Sequence, residues 1–223
     1  METQRLLESL SAKLHLKANP EYGEKMSAYM KGKFVYLGIP SPIRNAIQKE
    51  WFAEVKKSEI ERWGLIDALW DCEQREYQYV AIDYLKRTPK RLISKEDLPA
   101  IEHLITTKSW WDTLDLIASN YLGAYLQKFP EQKRTVIDSW RNDENMWLNR
   151  SCLIFQLKYK KETDFELLKS LIVQFQGNSE FFIQKAIGWS LRQYSKFNPE
   201  DVRAFVEEVG LEGLAKREAV KYL

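Results

Sequence analysis

The chain has 223 residues, 44% hydrophobic and 30% charged, which excludes a disordered polypeptide and suits one soluble domain or a repeat array. Its 34 basic and 32 acidic residues leave a formal charge of +2, so any nucleic-acid-binding face requires sorting of charge rather than bulk charge. Two histidines without metal-spaced companions, His15 and His103, remove the usual zinc sites and most histidine acid–base schemes. The two cysteines, Cys72 and Cys152, lie far apart in apolar context and read as reduced core residues. No apolar run approaches the roughly 18 residues of a membrane span, and the N-terminus lacks a basic-then-apolar leader, so a cytoplasmic location is expected.

Helical periodicity runs through almost the whole chain. Leu6, Leu10 and Leu14 stripe a first helix; Asn19-Pro20 then supplies an N-cap and a proline at the first position of a second, which carries Met26, Tyr29 and Met30 and ends near Lys31-Gly32-Lys33. Phe34 to Pro40 is a loop of apolar sequence, and Ser41-Pro42 starts a helix with Arg44, Ile47 and Trp51. Ser58 with Glu61 predicts a capping box for a helix through Trp70; another spans about Arg75 to Lys86 and stops at Thr88-Pro89. Ser94 opens a short helix through Ile105. Ser109 with Asp112 predicts a second capping box, at the head of a long helix reaching about Phe129. Pro130 begins a helix ending near Trp140, Met146 one running into Lys158, Asp164 one through Phe175, Glu180 one to about Tyr194, and Asn198-Pro199 one carrying Val202 to Val209.

About a dozen helices, short loops and no convincing strand predict an all-α chain. It is either a bundle or, as favoured here, an α-solenoid of stacked HEAT-like helix pairs forming a single domain over residues 1–223, whose concave side is the natural binding surface.

Most of the eight tryptophans are expected to fill space between helices, Trp63, Trp70 and Trp140 among them. Two stretches stand apart. In Ser109-Trp110-Trp111-Asp112-Thr113-Leu114-Asp115, Trp110 is assigned to the core with Leu114 and Ile117, while Asp115 shares a face with Trp111 and is either a satisfied polar contact to another helix or a functional carboxylate. In Ile187-Gly188-Trp189-Ser190-Leu191-Arg192, a glycine costing about 1 kcal/mol inside a helix implies close approach by a backbone or a ligand beside Trp189 and Arg192. Arg150 reads as a surface residue or as the partner of a buried acid. Lys31, Arg44, Lys158, Lys185 and Lys196 lie near helix ends, as solvated charges or as phosphate contacts.

The residues Ala28-Tyr29-Met30-Lys31, Leu37-Gly38-Ile39, Ser109 to Asp115, Trp147-Leu148-Asn149-Arg150 and Phe181 to Trp189 together resemble the AlkD family, HEAT-like DNA glycosylases of bacteria, over nearly the whole sequence. The resemblance implies excision of cationic alkylated purines such as N3-methyladenine and N7-methylguanine from duplex DNA by N-glycosidic bond hydrolysis, without base flipping and without a metal or cofactor. It implies Asp115 as the catalytic carboxylate and Trp111 and Trp189 as the flanking indoles. Tyr29 and Arg150 are implied as DNA contacts at the lesion, with Lys31, Arg44, Lys158, Lys185 and Arg192 gripping the backbone of a DNA bound by a monomer. Asn149 and Gln184 stand where arginine is expected in many members, a departure that bears on DNA affinity. Two other readings remain: a non-catalytic binder of branched or distorted DNA, and a HEAT-type protein–protein scaffold.

Overall fold

The computed structural model describes residues 2–223 and divides them into two compact units that meet in sequence at Thr88 and Pro89. Both are helical, and among the described residues the only β-pairing is an isolated bridge between Val35 and Gln74. The all-α class expected from periodicity is the observed one.

The first unit contains α1 (Glu2–His15), α2 (Pro20–Tyr29), α3 (Ser41–Val55), α4 (Arg62–Asp71) and α5 (Arg75–Leu85). Leu6, Leu10 and Leu14 recur once per turn on α1 and are fully buried, and Trp51 of α3 donates its indole N–H to the Leu6 carbonyl at 2.8 Å. Asn19 caps α2 as its sequence indicates, accepting from the Tyr22 amide, with Pro20 at the first helical position. The apolar loop after α2 is held by a buried carboxylate. Glu76 of α5 accepts three backbone N–H bonds, from Leu37, Gly38 and Ile39, at 2.9–3.1 Å, which offsets the cost of taking the charge out of water. Gly38 in this loop has φ +82, and a Cβ there would lie 1.9 Å from the Asn19 carbonyl oxygen, so only glycine fits the turn. The expected capping box at Ser58 does not form. Ser58 donates back to the Val55 carbonyl and closes α3, while Glu61 is itself the N-cap of α4, accepting from the amides of Trp63 and Gly64.

The second unit contains α6 (Leu98–Thr106), a long helix made of α7 (Trp111–Leu116), a π-helical segment (Ile117–Leu122) and α8 (Gly123–Lys128), then α9 (Pro130–Trp140), α10 (Met146–Ile154), α11 (Phe165–Phe175), α12 (Phe181–Ser195), α13 (Pro199–Glu208) and α14 (Gly213–Ala219). A capping box between Ser94 and Asp97 precedes α6, at the residue expected to open this helix. Trp140, Phe155, Ile183, Ile187 and Leu191 are buried. The helix α14 lies beyond the last element legible in the sequence. It packs along α12 because Gly188 has no side chain: a Cβ there would come within 2.3 Å of the Glu218 Cβ and 2.8 Å of the Ala215 carbonyl oxygen. Close approach by backbone is therefore what Gly188 serves.

A repeated device ties successive helices. The fourth residue of α5, α10 and α12 is a side-chain amide, and each donates from one nitrogen to backbone carbonyls at the C-terminal end of the preceding helix and the turn after it. Gln78 reaches Trp70 O at 3.0 Å and Cys72 O at 2.7 Å, Asn149 reaches Trp140 O at 2.8 Å and Asp143 O at 3.0 Å, and Gln184 reaches Gln176 O at 3.0 Å and Asn178 O at 2.7 Å. These bonds satisfy carbonyls that the helix ends leave without an internal partner.

Candidate active site

The helix that starts at Trp111 begins differently from the sequence expectation. Ser109 donates to the Ile105 carbonyl at 2.6 Å and so finishes α6; Trp110, in extended backbone, occupies the N-cap position, and the Asp112 carboxylate accepts from the Thr113 amide at 2.9 Å. Ser109 is displaced from capping because the residue that turns the chain into the helix is Trp110. Its ring enters a cluster with Trp147 (5.7 Å between centroids) and Phe182 (5.1 Å), edge-on to both, while Leu114 and Ile117 are buried below.

Asp115, one turn on from Trp111, faces Arg150 of α10. The guanidinium grips both carboxylate oxygens, Nε to Oδ1 and Nη2 to Oδ2, each at 2.8 Å, and its third nitrogen donates to the Phe182 carbonyl at the start of α12. The Arg150 side chain is 3% exposed and that of Asp115 13%, so the pair is taken almost wholly out of water, Asp115 retaining the greater exposure. Arg150 is thus the partner of a buried acid, the second of its two sequence readings. Its fork fixes the carboxylate plane in a way a lysine would not. Burial raises the Asp115 pKa and is the largest influence, opposed by the Arg150 hydrogen bonds and charge; the net direction is upward.

Trp189, half-buried on α12, lies with its ring 5.9 Å from the Arg150 guanidinium carbon, and the Phe182 ring lies 5.8 Å from the same atom. Trp111 is half-buried on the helix that carries Asp115. The structure therefore brings Asp115, Arg150 and Trp189 into one constellation. Immediately after Leu116 the helix widens into its π segment, and Ser119 there donates to the Asp115 carbonyl at 2.6 Å. Such bulges recur at functional sites because they re-aim side chains without breaking the helix.

The other candidate DNA contacts fall into distinct places. Tyr29, at the end of α2, is 70% exposed, and Lys31 follows it in an exposed left-handed turn with φ 58. Arg44 lies below the surface of the first unit, its guanidinium carbon 4.6 Å over the Tyr79 ring, and burial pushes its pKa down. Lys158 is exposed and donates to the Asn120 side-chain oxygen. Lys185 and Arg192 are both paired with one acid, Glu218 of α14, at 2.8 Å each. Asn149 and Gln184, which stand where arginine is expected, turn their side-chain amides to backbone carbonyls of the preceding helix end and turn. Glu218 and Phe182 were not singled out from the sequence. Glu218 sits in an element the periodicity did not reveal, whereas Phe182 lay within a quoted motif but contributes mainly its backbone carbonyl, which no side-chain pattern encodes.

A family model described as DNA alkylation repair enzyme matches residues 10–223. A solved structure from Enterococcus faecalis, described as a predicted DNA alkylation repair enzyme, is 40% identical in sequence, with a TM-score of 0.84 over 93% of this chain and 97% of that one. Among curated proteins no sequence match was found. Match and likeness run through both helical units and across the Asp115–Arg150 constellation, and on them the chain belongs to the DNA alkylation repair enzyme family.

Proposed function

We propose that the protein is a monofunctional DNA glycosylase that hydrolyses the N-glycosidic bond of cationic alkylated purines in duplex DNA. The observation that carries this reading is the nearly buried carboxylate of Asp115, held in both oxygens by Arg150, whose guanidinium carbon lies 5.9 Å from the Trp189 ring.

An alkylated purine that already bears positive charge departs as a neutral base, so no general acid has to protonate it. What the reaction needs is stabilisation of the oxocarbenium character that builds on the deoxyribose as the bond breaks. A carboxylate fixed before the reaction meets that need without reorganising. The faces of Trp111 and Trp189 add cation–π attraction, about 1–2 kcal/mol each where water is excluded. Arg150 has two effects on Asp115: it keeps the carboxylate ionised against burial, and it holds the plane in which the charge is offered. In this scheme the same carboxylate also orients or deprotonates the water that attacks the sugar.

Incubating the protein with duplex DNA treated with a methylating agent, and identifying the released bases by chromatography, tests the proposal. Release of N3-methyladenine or N7-methylguanine is expected; retention of every methylated base in the DNA would overturn it.

A further inference from the structure

The π segment after Leu116 sets a hydroxyl against Asp115. Ser119 Oγ donates to the Asp115 main-chain carbonyl at 2.6 Å, and the side-chain amide of Asn120 approaches the same hydroxyl at 3.4 Å. A serine hydroxyl carries one proton and two lone pairs. Its proton is committed to the carbonyl in a short bond, and an N–H donor at 3.4 Å lies outside the usual hydrogen-bond range. The oxygen therefore keeps the capacity to accept.

A backward bond of this kind is common for a serine inside a helix, and Ser151 makes one to the Trp147 carbonyl with its side chain wholly buried. Ser119 differs in its surroundings. It is 8% exposed and lines an open cleft of about 560 Å³, together with Trp189. The Trp189 ring in turn lies 5.9 Å from the guanidinium carbon of Arg150, whose nitrogens hold the Asp115 carboxylate. One wall of the cleft thus carries a hydroxyl bonded to the main chain of Asp115, and another carries the indole next to its ion-pair partner. Solvent in the cleft has a route to the acceptor oxygen of Ser119.

We propose that Ser119 Oγ is the second acceptor for the water that attacks the sugar, and that the cleft admits that water. The water donates one hydrogen to the Asp115 carboxylate and the other to Ser119 Oγ, which leaves a lone pair for C1′ of the deoxyribose. The proposal rests on the glycosylase reading and adds a group that touches the nucleophile. As the water oxygen bonds to C1′, the N-glycosidic bond breaks and its electron pair goes to the cationic purine, which departs neutral. The proton lost by the water passes to Asp115 and then to solvent; the second hydrogen stays on the new C1′ hydroxyl, still directed at Ser119. A carboxylate alone would leave the water free to turn about a single bond, whereas two acceptors fix its orientation before the reaction.

The test is single-turnover base release from methylated duplex by the full chain, with methanol added as a competing nucleophile and the product at C1′ identified as free hydroxyl or methyl glycoside. Methanol has one hydroxyl hydrogen, so it can satisfy Asp115 or Ser119 but not both, and a site with two acceptors discriminates against it. Ser119→Ala is expected to slow release about 3- to 10-fold, the scale of one neutral hydrogen bond, and to raise the methyl glycoside share by a similar factor. DNA affinity and the acid-side pH inflection are expected to stay at their wild-type values, because the hydroxyl bonds to the main chain of Asp115 and not to its carboxylate. Ser119→Thr keeps the hydroxyl and is expected to hold the methyl glycoside share near that of wild type. Slower release by Ser119→Ala with an unchanged methyl glycoside share would overturn the proposal, since the hydroxyl would then serve only to place Asp115. So would a threonine variant whose share matches that of the alanine variant. A wild type that releases base, with an alanine variant that partitions water and methanol as it does, sinks the role of Ser119 and leaves the glycosylase reading standing; a wild type that releases no methylated base sinks both.

Discussion

At the scale of single residues, the behaviour of the site follows from how Asp115 and Arg150 share one desolvated space. Removing one partner of such a pair is costlier than the pair is worth, because the other charge is left buried and unmatched. Arg150→Ala is expected to lower stability by about 3–5 kcal/mol in urea denaturation, and a change under 1 kcal/mol would show the pair to be far better solvated than its geometry indicates. Arg150→Lys should restore only part of the loss, because a point charge cannot reproduce the two-pronged grip. The pH dependence has a definite sign. The proposed chemistry requires the carboxylate form, and burial raises the Asp115 pKa. Base release should therefore fall on the acid side with an inflection above the ordinary aspartate value of 3.8, measured as single-turnover rate against pH. An inflection below that value would mean that Arg150, rather than burial, dominates.

At the scale of elements, the placement of α14 depends on a missing methyl group. Gly188→Ala gains about 1 kcal/mol of intrinsic helix propensity, but the added carbon meets the Glu218 Cβ and the Ala215 carbonyl, neither of which is the far end of a flexible side chain. Overpacking of this kind costs about 1–3 kcal/mol, so a net loss of stability is expected, read as a lower midpoint of thermal unfolding; an unchanged or raised midpoint would contradict the packing described. The elements also show what periodicity reveals and what it leaves hidden. The leucine stripe of α1 and the Asn19-Pro20 start were legible because burial once per turn and a cap next to proline are local properties of the chain. The two failed capping boxes share one cause. Ser58 and Ser109 each bond backward to a carbonyl four residues or fewer before them, ending the previous helix, and spacing alone does not say in which direction a hydroxyl turns. The π segment after Leu116 and the docking of α14 come from tertiary packing, which no window of sequence contains. The amide that ties a helix to the end of the one before it recurs on α5, α10 and α12, as Gln78, Asn149 and Gln184, too sparse a signature to appear as a consensus motif. In the candidate site, Asp115 stood out because it shares a helix face with an indole, whereas its pairing with Arg150 spans 35 positions of sequence and required the fold.

At the scale of the whole molecule, a chain of near-neutral charge has to act on a polyanion through local arrangement. The nearly balanced composition hides a group of lysines near Trp189 and a carboxylate–guanidinium pair that is internally neutral. On the proposed function, binding and chemistry are separable: binding is assigned to exposed cations and bond cleavage to Asp115, whose substitution leaves those cations in place. The central claim is tested most directly by the single-turnover rate of base release from methylated duplex, compared between wild type and Asp115→Asn at equal occupancy of DNA. The account predicts a rate about 10²-fold or more lower in the variant, the scale of losing one preorganised electrostatic group, with DNA affinity near that of wild type. Equal rates in the two proteins would contradict it.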